Sequence, residues 1–357
     1  MRIAAASVRP VTLRFARPVR TAQGEFAERH SVLLGLRDAA GREGFGEAAP
    51  WPGFGTESAD EATDRLRAVA ARIEGANLAS LQRAEEQLAD APAARAALAG
   101  ALCDLQARTA AQPLAKYLAS SVPASHGPPL GDVAVHALLV SQDPGSLRAE
   151  AARAVAAGFR ALKLKLGAAP LAADVERARA ARDGAGAAIA LRGDANGAWD
   201  EAAAIAALEA LAPFGFEYVE QPLPAGDTAG LATLRRRSPL RIAADESVAT
   251  AEGAERVISS GAVDVVVLKP AMLGGPLRAL AIAALARSSG MQVVFSHAFE
   301  SAVGARHALH CAAAWGDAGA VHGLGTAGLF VQDLAEPVDG AHGLASVGVG
   351  PGIGVTP

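Results

Sequence analysis

The chain after residue 132 repeats one pattern, a short apolar run followed by an Ala-rich amphipathic stretch. The runs lie at 133–140, 161–166, 187–192, 217–220, 241–244, 263–268, 292–295 and, more weakly, 320–324. Intervening stretches such as 200–211 and 250–260 have the period of amphipathic helices. Eight short strands alternating with helices over about 190 residues predict a (β/α) barrel rather than a doubly wound sheet.

The chain before residue 120 has a different pattern. An apolar run at 31–37, a turn at 38–41 and a second run at 43–48 predict a hairpin. The Pro- and Gly-rich stretch 50–55 predicts a loop. Ala, Arg, Leu and Glu then recur at helical spacing over 58–119. This mixture predicts an α+β unit ahead of the barrel.

A stretch rich in Ser, Pro and Gly at 120–131 marks the border between the two patterns. We therefore expect an α+β domain over residues 1–125 and a barrel over residues 126–327. The tail at 339–357 is Gly-rich and irregular. It predicts turns rather than a nucleotide-binding loop, because no strand leads into its glycines and no helix follows them.

Composition excludes several classes of protein. The net charge of −4 and the pI near 6.1 give no support to nucleic-acid binding. No apolar run approaches the ~20 residues that span a bilayer, so no membrane association is expected. Two cysteines far apart in the sequence cannot form a disulfide scaffold. Together with an N-terminus that has too short an apolar run for a signal peptide, they predict a cytoplasmic protein.

Charged residues end five successive apolar runs of the barrel pattern. They are Lys163 and Lys165, then Asp194, Glu220, Asp245 and Lys269. The three carboxylates are 26 and 25 residues apart (194 to 220 and 220 to 245), and the last lysine follows 24 residues later. One βα unit has about this length, and active sites of such barrels lie at the carboxyl ends of the strands. The spacing therefore predicts that these side chains share one barrel mouth.

The residue types indicate a particular chemistry. Three carboxylates in one mouth repel each other unless a hard cation such as Mg²⁺, with Mn²⁺ as a substitute, neutralises them. Lys163 and Lys165 alternate along a strand and so share a face, where each is expected to lower the pKa of the other. Lys269 lies across the barrel from them. This layout suits abstraction of a proton α to a carboxylate, with the metal stabilising an enediolate.

Each residue taken singly has a plainer interpretation. A Lys-x-Lys pair at a strand end is usually solvated, and an Asp after a strand is usually a helix N-cap. Glu246 is expected to be a partner of the preceding ligand rather than a fourth ligand. His307 and His310 are expected to be neighbours on a helix rather than a metal cluster. A barrel that only binds a ligand is disfavoured, because it has no use for all the lysines and carboxylates together.

The constellation resembles the enolase superfamily, in its muconate-cycloisomerase-like subgroup. The resemblance covers nearly the whole chain. It implies a modified (β/α)7β barrel of the TIM type, of α/β class, whose mouth is closed by the N-terminal α+β capping domain. The tail from about residue 328 to 357 is expected to return to this cap.

Within the superfamily, four segments look most like the o-succinylbenzoate synthase family. They are the cap loop 46–54, the third-strand motif 191–199, the seventh strand end 296–301 and the eighth strand end 323–326. The sequence departs from familiar members at His297 and Gly325, where Ser and Asp are expected. These departures concern the substrate pocket rather than the catalytic set.

The resemblance assigns roles to residues of this sequence. It implies that Asp194, Glu220 and Asp245 bind the metal, that Lys165 is the base, that Lys163 lowers its pKa, and that Lys269 stabilises the anion from the opposite face. Arg192 and Asn196 are implied to lie near the substrate and the metal, and Ser296 and Gly323 to line the substrate pocket. Thr21 and Phe54 of the cap are expected to shield the site from water.

The implied substrate is a small-molecule carboxylate, with no role for nucleic acid. The implied reaction is the syn-dehydration of 2-succinyl-6-hydroxy-2,4-cyclohexadiene-1-carboxylate to o-succinylbenzoate, a step toward menaquinone. Racemisation of N-acylamino acids or epimerisation of dipeptides in the same scaffold stays open as an alternative. Residues 323–326 offer no acidic pair for a peptide amine, which argues against the dipeptide reaction. The sequence does not indicate an oligomeric state.

Overall fold

The computed structural model describes residues 2–21, 24–122 and 126–357. Its strands are β1 (Ile3–Thr21), β2 (Gly24–Asp38), β3 (Glu43–Ala48), β4 (Asp132–Ala134), β5 (Ala137–Leu139), β6 (Ala161–Lys165), β7 (Ala190–Asp194), β8 (Phe216–Glu220), β9 (Ile242–Ala244), β10 (Val265–Leu268), β11 (Gln292–Phe295) and β12 (Leu344–Ser346). Its helices are α1 (Ala59–Ala70), α2 (Leu78–Glu86), α3 (Pro92–Thr109), α4 (Leu114–Ser121), α5 (Pro144–Ala156), α6 (Leu171–Ala185), α7 (Glu201–Leu211), α8 (Thr228–Arg237), α9 (Ala251–Ser259), α10 (Pro276–Ser288) and α11 (Ala302–Trp315). Along these ranges, no helix combines the length and the apolar character that a membrane crossing requires.

The N-terminal region is a three-stranded antiparallel sheet, in the order β1-β2-β3, packed against helices. The predicted hairpin is confirmed, with Arg37 opposite Glu43 beside the turn. The predicted helical stretch 58–119 divides into helices at capping residues. Ser58 and Glu61 form a reciprocal capping box at α1, and Asn77 caps α2.

Helix α3 lies close against strand β3 because two glycines face it. A Cβ atom at Gly44 would stand 2.5 Å from the carbonyl oxygen of Ala101, and one at Gly46 would collide with the backbone at Ala97. The sheet and helix thereby share an apolar core. It includes Val32, Leu34, Leu36, Leu66, Leu81, Leu98 and Leu105.

The second region is a parallel sheet in the order β5-β6-β7-β8-β9-β10-β11, with α5 to α11 in the connections. Side chains alternate between its two faces. One face packs against the helices in the main core, which includes Leu162, Leu164, Val219, Ile242, Val266 and Leu268. The other face encloses a small apolar cluster of Tyr218, Ala243, Val265, Val267 and Val294. The expected (β/α)7β barrel of α/β class is confirmed.

The two edges of the parallel sheet are joined by the predicted last run, 320–324, which forms isolated bridges instead of a strand. The Gly323 amide donates to the Phe295 carbonyl at 2.9 Å, and the His322 amide donates to the Ala134 carbonyl at 2.7 Å. The predicted run 133–140 likewise divides into β4 and β5. It changes partners there, because β4 pairs antiparallel with β12 while β5 pairs with β6.

The tail contacts the N-terminal region through a buried carboxylate on α3. Asp104 accepts hydrogen bonds from the amides of Phe45 at 2.9 Å and Ile353 at 2.8 Å. It also pairs with Arg108 at 3.0 Å, whose guanidinium donates to the Val355 carbonyl at 2.6 Å. One side chain therefore joins β3, α3 and the tail.

Replacing Asp104 with Ala should remove the shared acceptor and leave two buried amides and a guanidinium without their partner. We expect the free energy of unfolding to fall by about 3 kcal/mol, as for other broken buried ion pairs. Asp64→Ala, at an exposed position of α1, is the matched control and should change it by less than about 0.5 kcal/mol. Chemical denaturation measures both. Equal stability of the two variants would contradict the role given to Asp104.

Candidate active site

The strand-end residues predicted from the spacing lie together at the carboxyl ends of the barrel strands. Strand register explains why, since Lys165 is paired with Asp194 on β7, and Asp194 with Glu220 on β8. Asp245 directly follows β9, and Lys269 directly follows β10. Five neighbouring strands thus bring their last charged side chains to one level of the barrel.

Lysine ammonium groups lie between the carboxylates. Lys163 Nζ donates to Asp194 Oδ2 at 2.7 Å and to Glu220 Oε1 at 2.8 Å. Lys165 Nζ donates to the same Asp194 oxygen at 2.7 Å. Lys269 forms a close ion pair with Asp245 across the mouth. The lysines of β6 therefore contact one end of the row of acids, and Lys269 contacts the other end.

The neighbouring charges shift the pKa values of Lys163 and Glu220. Burial would lower the pKa of Lys163, but Asp194, Glu220 and Asp245 outweigh it and raise that pKa well above the usual value. The expectation that Lys165 lowers the pKa of Lys163 is therefore wrong, because the nearby carboxylates raise that pKa. Burial and the charge of Asp194 raise the pKa of Glu220 despite Lys163.

The three strand-end carboxylates are of the type that binds a hard divalent cation, although lysine ammonium groups lie between them. Within the ranges described, no three Asp, Glu, His or Cys side chains stand close enough together to enclose a metal ion. The oxygens of Asp194, Glu220 and Asp245 are nevertheless the ligand type that Mg²⁺ prefers. Glu246 Oε2 is buried there and has no hydrogen-bond partner among the described residues. The charges of Asp245 and Asp194 act on this carboxyl group, so its unpartnered oxygen is available to a further positive charge.

Two residues in left-handed conformations hold the acids in place. Asn196 (φ 46°) accepts from Lys165 at 2.6 Å and donates to Glu246 Oε1 at 2.9 Å, so the described partner of Glu246 is Asn196. The buried Gln221 (φ 41°) accepts from the amides of Asp245 at 3.1 Å and Ser247 at 3.0 Å. Gln221 directly follows Glu220, but nothing in its local sequence predicts a role in the site.

Three predicted pocket residues lie around the same mouth. Ser296 and Gly323 form a parallel bridge, and a Cβ atom at Gly323 would stand 2.9 Å from Ser296 Oγ. Phe54, in a short 3-10 turn of the cap, has its ring 5.4 Å from the ammonium group of Lys269. The cap loop therefore lies over one of the site lysines.

The structure does not bring Arg192 to the mouth. Its side chain is 1% exposed and donates to Glu217 Oε2 and to the Val321 carbonyl, both at 2.7 Å. It precedes Asp194 by two positions on the same strand face and so lies one layer deeper in the barrel. Thr21 ends β1, but its side chain lies outside the described part of the chain.

Arg29 on β2, which the sequence did not single out, connects the cap loop to the end of the seventh barrel strand. Its guanidinium donates to the carbonyls of Ala49 at 2.6 Å and Pro50 at 2.5 Å. It also reaches the carbonyls of Ala298 and Phe299, both at 3.3 Å. The loop that carries Phe54 and the segment after β11 are thereby held by one side chain.

Two acids lie behind Arg29. Glu47 of β3 accepts from the amides of Ser301 at 3.1 Å and Gly304 at 3.0 Å, at the N-terminus of α11, where a negative charge is favoured. Glu300 has one buried oxygen without a hydrogen-bond partner among the described residues. Burial, with the nearby charge of Glu47, raises the pKa of Glu300 to about 7. Both acids lie inside segments already singled out, 46–54 and 296–301, but no motif indicated that they meet.

Two family models match the chain. The model described as "Mandelate racemase / muconate lactonizing enzyme, N-terminal domain" matches residues 3–119. The model described as "Enolase C-terminal domain-like" matches residues 146–357. The first match contains the cap sheet, and the second contains every charged residue of the barrel mouth described above.

Characterised relatives share sequence over part of the chain. An o-succinylbenzoate synthase of Mycobacterium ulcerans is 42% identical over 236 residues, which are 64% of this chain and 69% of that protein. An o-succinylbenzoate synthase of Mycobacterium tuberculosis is 44% identical over 178 residues, which are 50% of this chain and 52% of that protein.

Solved structures match over the full length. A dipeptide epimerase from Enterococcus faecalis, in complex with Mg and the dipeptide L-Leu-L-Tyr, has a TM-score of 0.89, 28% identity and 100% coverage of both chains. A muconate lactonizing enzyme from Pseudomonas fluorescens, in complex with muconolactone, has a TM-score of 0.87 and 28% identity, covering 99% of this chain and 96% of that one.

Replacing Glu300 with Gln should change how stability depends on pH. With its pKa raised from 4.5 to about 7, folded Glu300 holds a proton that the unfolded chain has released, so stability falls as pH rises through this window. The side-chain amide of Gln does not titrate, so the variant does not lose this stability as the pH rises. We expect Glu300→Gln to gain up to about 3 kcal/mol of unfolding free energy relative to wild type between pH 5 and 8.

Chemical denaturation across that pH range measures the difference. Glu209→Gln, on the exposed side of α7, is the matched control for loss of one carboxyl group. A difference between Glu300→Gln and wild type that stays constant with pH would contradict a raised pKa at this position.

Proposed function

Because the chain belongs to the mandelate racemase / muconate lactonizing enzyme family of the enolase superfamily, we propose that this enzyme is an o-succinylbenzoate synthase. It would dehydrate 2-succinyl-6-hydroxy-2,4-cyclohexadiene-1-carboxylate to o-succinylbenzoate, in menaquinone biosynthesis. The observation that carries the proposal is the arrangement of lysines at the two ends of a row of three strand-end carboxylates. The similarity to o-succinylbenzoate synthases at 42–44% identity supports this reaction over others of the family.

The carboxylates of Asp194, Glu220 and Asp245 would hold a divalent cation, Mg²⁺ or in its place Mn²⁺. When bound, the cation supplies positive charge to the substrate carboxylate and so makes the neighbouring C–H group more acidic. Glu246 and Asn196, which are joined by a hydrogen bond of 2.9 Å, would keep the ligand carboxylates oriented. Such outer partners commonly tune a metal site.

Lys165 would act as base and then as acid. Its side chain is 43% exposed, against 12% for Lys163 and 10% for Lys269, so it is the site lysine most open to a substrate. As base it would take the proton from the α-carbon, and the electron pair would move into the carboxylate as an enediolate. The resulting ammonium returns the proton to the leaving hydroxyl on the same face, water departs, and the ring becomes aromatic.

Lys269 would stabilise the anion from the opposite face. It is buried beneath the ring of Phe54, where the low dielectric constant strengthens the attraction between its positive charge and the anion. Trp51, whose ring lies 5.8 Å from that of Phe54, extends this aromatic cover over the mouth. Excluding water here favours the charged transition state and prevents loss of the enediolate to solvent protons.

A second candidate is racemisation of N-acylamino acids, for which Lys165 and Lys269 would both act as bases. Their placement at opposite ends of the acid row supports it. The structural similarity to an epimerase is in keeping with the same scaffold. Dipeptide epimerisation is disfavoured, since the segment Gly323 to Thr326 carries no acid for a substrate amine.

We also propose that residues 1–125, joined by the tail 328–357, act as the cap of a barrel formed by 126–327. The contact of Asp104 with Ile353 at 2.8 Å supports the return of the tail to the cap. Cys103 and Cys311 are buried and form no disulfide. Free thiols support a location in the reducing cytoplasm, where the enzyme would act on a small carboxylate.

Activity should require a divalent metal held by the three carboxylates. Asp245→Asn keeps the shape but removes one charge, so we expect weaker metal binding and turnover lower by at least about 100-fold. Appearance of the aromatic product is followed by absorbance, with Mg²⁺ affinity measured by calorimetry. Asp132→Asn, at an exposed site on β4, is the control. Full activity of wild type in excess chelator would contradict the metal assignment.

The two lysine faces should be unequal. Lys165→Ala removes the base on its face and should abolish deuterium exchange at the α-carbon. Lys269→Arg keeps the positive charge but cannot deprotonate near neutral pH, so a dehydratase should retain part of its activity while a two-base racemase loses it. Absorbance follows dehydration, and incorporation from heavy water follows exchange. If wild type racemises N-acylamino acids efficiently and forms no o-succinylbenzoate, the racemase takes the place of the synthase.

A further inference from the structure

The turn after β11 holds a bulky residue in a strained conformation. Phe299 has φ 59°, a left-handed value that is unfavourable for a large side chain. Neighbouring groups keep it there, since Glu300 Oε2 accepts from the Ala298 amide at 2.7 Å and Arg29 of the cap binds the Phe299 carbonyl. Because several contacts maintain this unfavourable backbone conformation, the turn at Phe299 is held in a single conformation.

This shape determines the tautomer of His297. The amide of Phe299 donates to His297 Nδ1 at 3.1 Å, so Nδ1 carries a lone pair and the neutral ring carries its proton on Nε2. The only competing acceptor described near Nδ1 is Glu300 Oε2, at 3.8 Å, which is too far for a hydrogen bond. Burial, with the charges of Lys269 and Lys163, lowers the pKa of His297 to about 4, so the ring is neutral at physiological pH.

The Nε2–H group is left for another molecule. In the described part of the chain it makes no hydrogen bond, and the His297 side chain keeps 14% of its surface exposed. The ring lies 5.8 Å from that of Phe299, which in turn lies 5.6 Å from Trp51 in the aromatic cover of the mouth. The ring that carries this open donor is therefore partly exposed and lies next to the aromatic cover of the mouth.

We propose that His297 is a specificity-determining residue whose Nε2–H donates a hydrogen bond to a carbonyl or carboxylate oxygen on the substrate's side chain, away from the reacting carbon. The ring has no acceptor left to offer, because the Phe299 amide occupies Nδ1. An ammonium group would find no acceptor on His297 and would be repelled by Lys163 and Lys269. This inference rests on the proposed function and names what the substrate must carry: an oxygen acceptor and no amine.

The test compares two ligands and two variants. o-Succinylbenzoate carries side-chain oxygens, and 2-butylbenzoate has the same chain length without them. His297→Gln keeps an N–H donor near the Nε2 position, whereas His297→Leu keeps bulk without a donor. We expect His297→Leu to bind o-succinylbenzoate about 10-fold or more weakly and 2-butylbenzoate unchanged. His297→Gln should recover most of the loss. Calorimetry on the Mg²⁺-loaded proteins measures all affinities, and thermal unfolding checks that both variants fold.

A second readout does not depend on ligand or activity. Proton–nitrogen NMR of histidine-labelled protein should show His297, assigned by its absence in the variants, as the neutral Nε2–H tautomer. The Nδ1–H tautomer, or an equal change for both ligands in His297→Leu, would overturn the inference. Failure of wild type to dehydrate its substrate while these binding results hold would overturn the proposed reaction alone.

Discussion

The molecule is organised around the balance of charge at the carboxyl ends of the barrel strands. Register pairs Asp194 with both Lys165 and Glu220, so the strands cannot form without bringing these groups together. Removing such charges from water is costly unless opposite charges and fixed hydrogen bonds compensate. The lysines and the hydrogen bonds of the left-handed residues at the strand ends supply this compensation, while the apolar cover of the cap keeps water out. The proposed activation of a substrate carboxylate would use the same concentration of charge.

Much of the barrel could be predicted because its signals are local. Short apolar runs at a constant period give strand order, and a charge at each run's end gives the mouth. The sequence predicts strands with turns over residues 1 to about 50, but not the 19-residue length of β1, since Pro10 and Pro18 argue against one continuous strand. Within its sheet β1 pairs with β2 and lies at the edge, where prolines are tolerated, and Phe15 forms an isolated antiparallel bridge with Phe330. The direction of the pKa shift of Lys163 was also beyond sequence, because it depends on distances to carboxylates from three other strands.

The junction of cap and barrel was equally hidden, for a different reason. Glu47 meets Ser301, which is 254 residues away along the chain, and Arg29 meets Phe299 at a similar separation. Each is an unremarkable charged residue in its local pattern. Only the fold shows that they share one buried cluster, through which the cap loop and the turn bearing His297 take up fixed positions. The cap loop over the site and the turn that bears His297 are therefore held by the same buried cluster.

The anchoring of the tail on Asp104 has a consequence for the order of folding. Ile353 supplies its amide from 249 residues downstream, so the N-terminal region by itself offers Asp104 only the Phe45 amide and Arg108. Until the barrel has been synthesised and the tail arrives, one hydrogen-bond partner of this carboxylate is missing. Contacts of such long range are slow to form, and the intermediate before them exposes surfaces prone to association. The hydrogen bond of Asp104 to Ile353 can therefore form only after the whole barrel sequence has been synthesised.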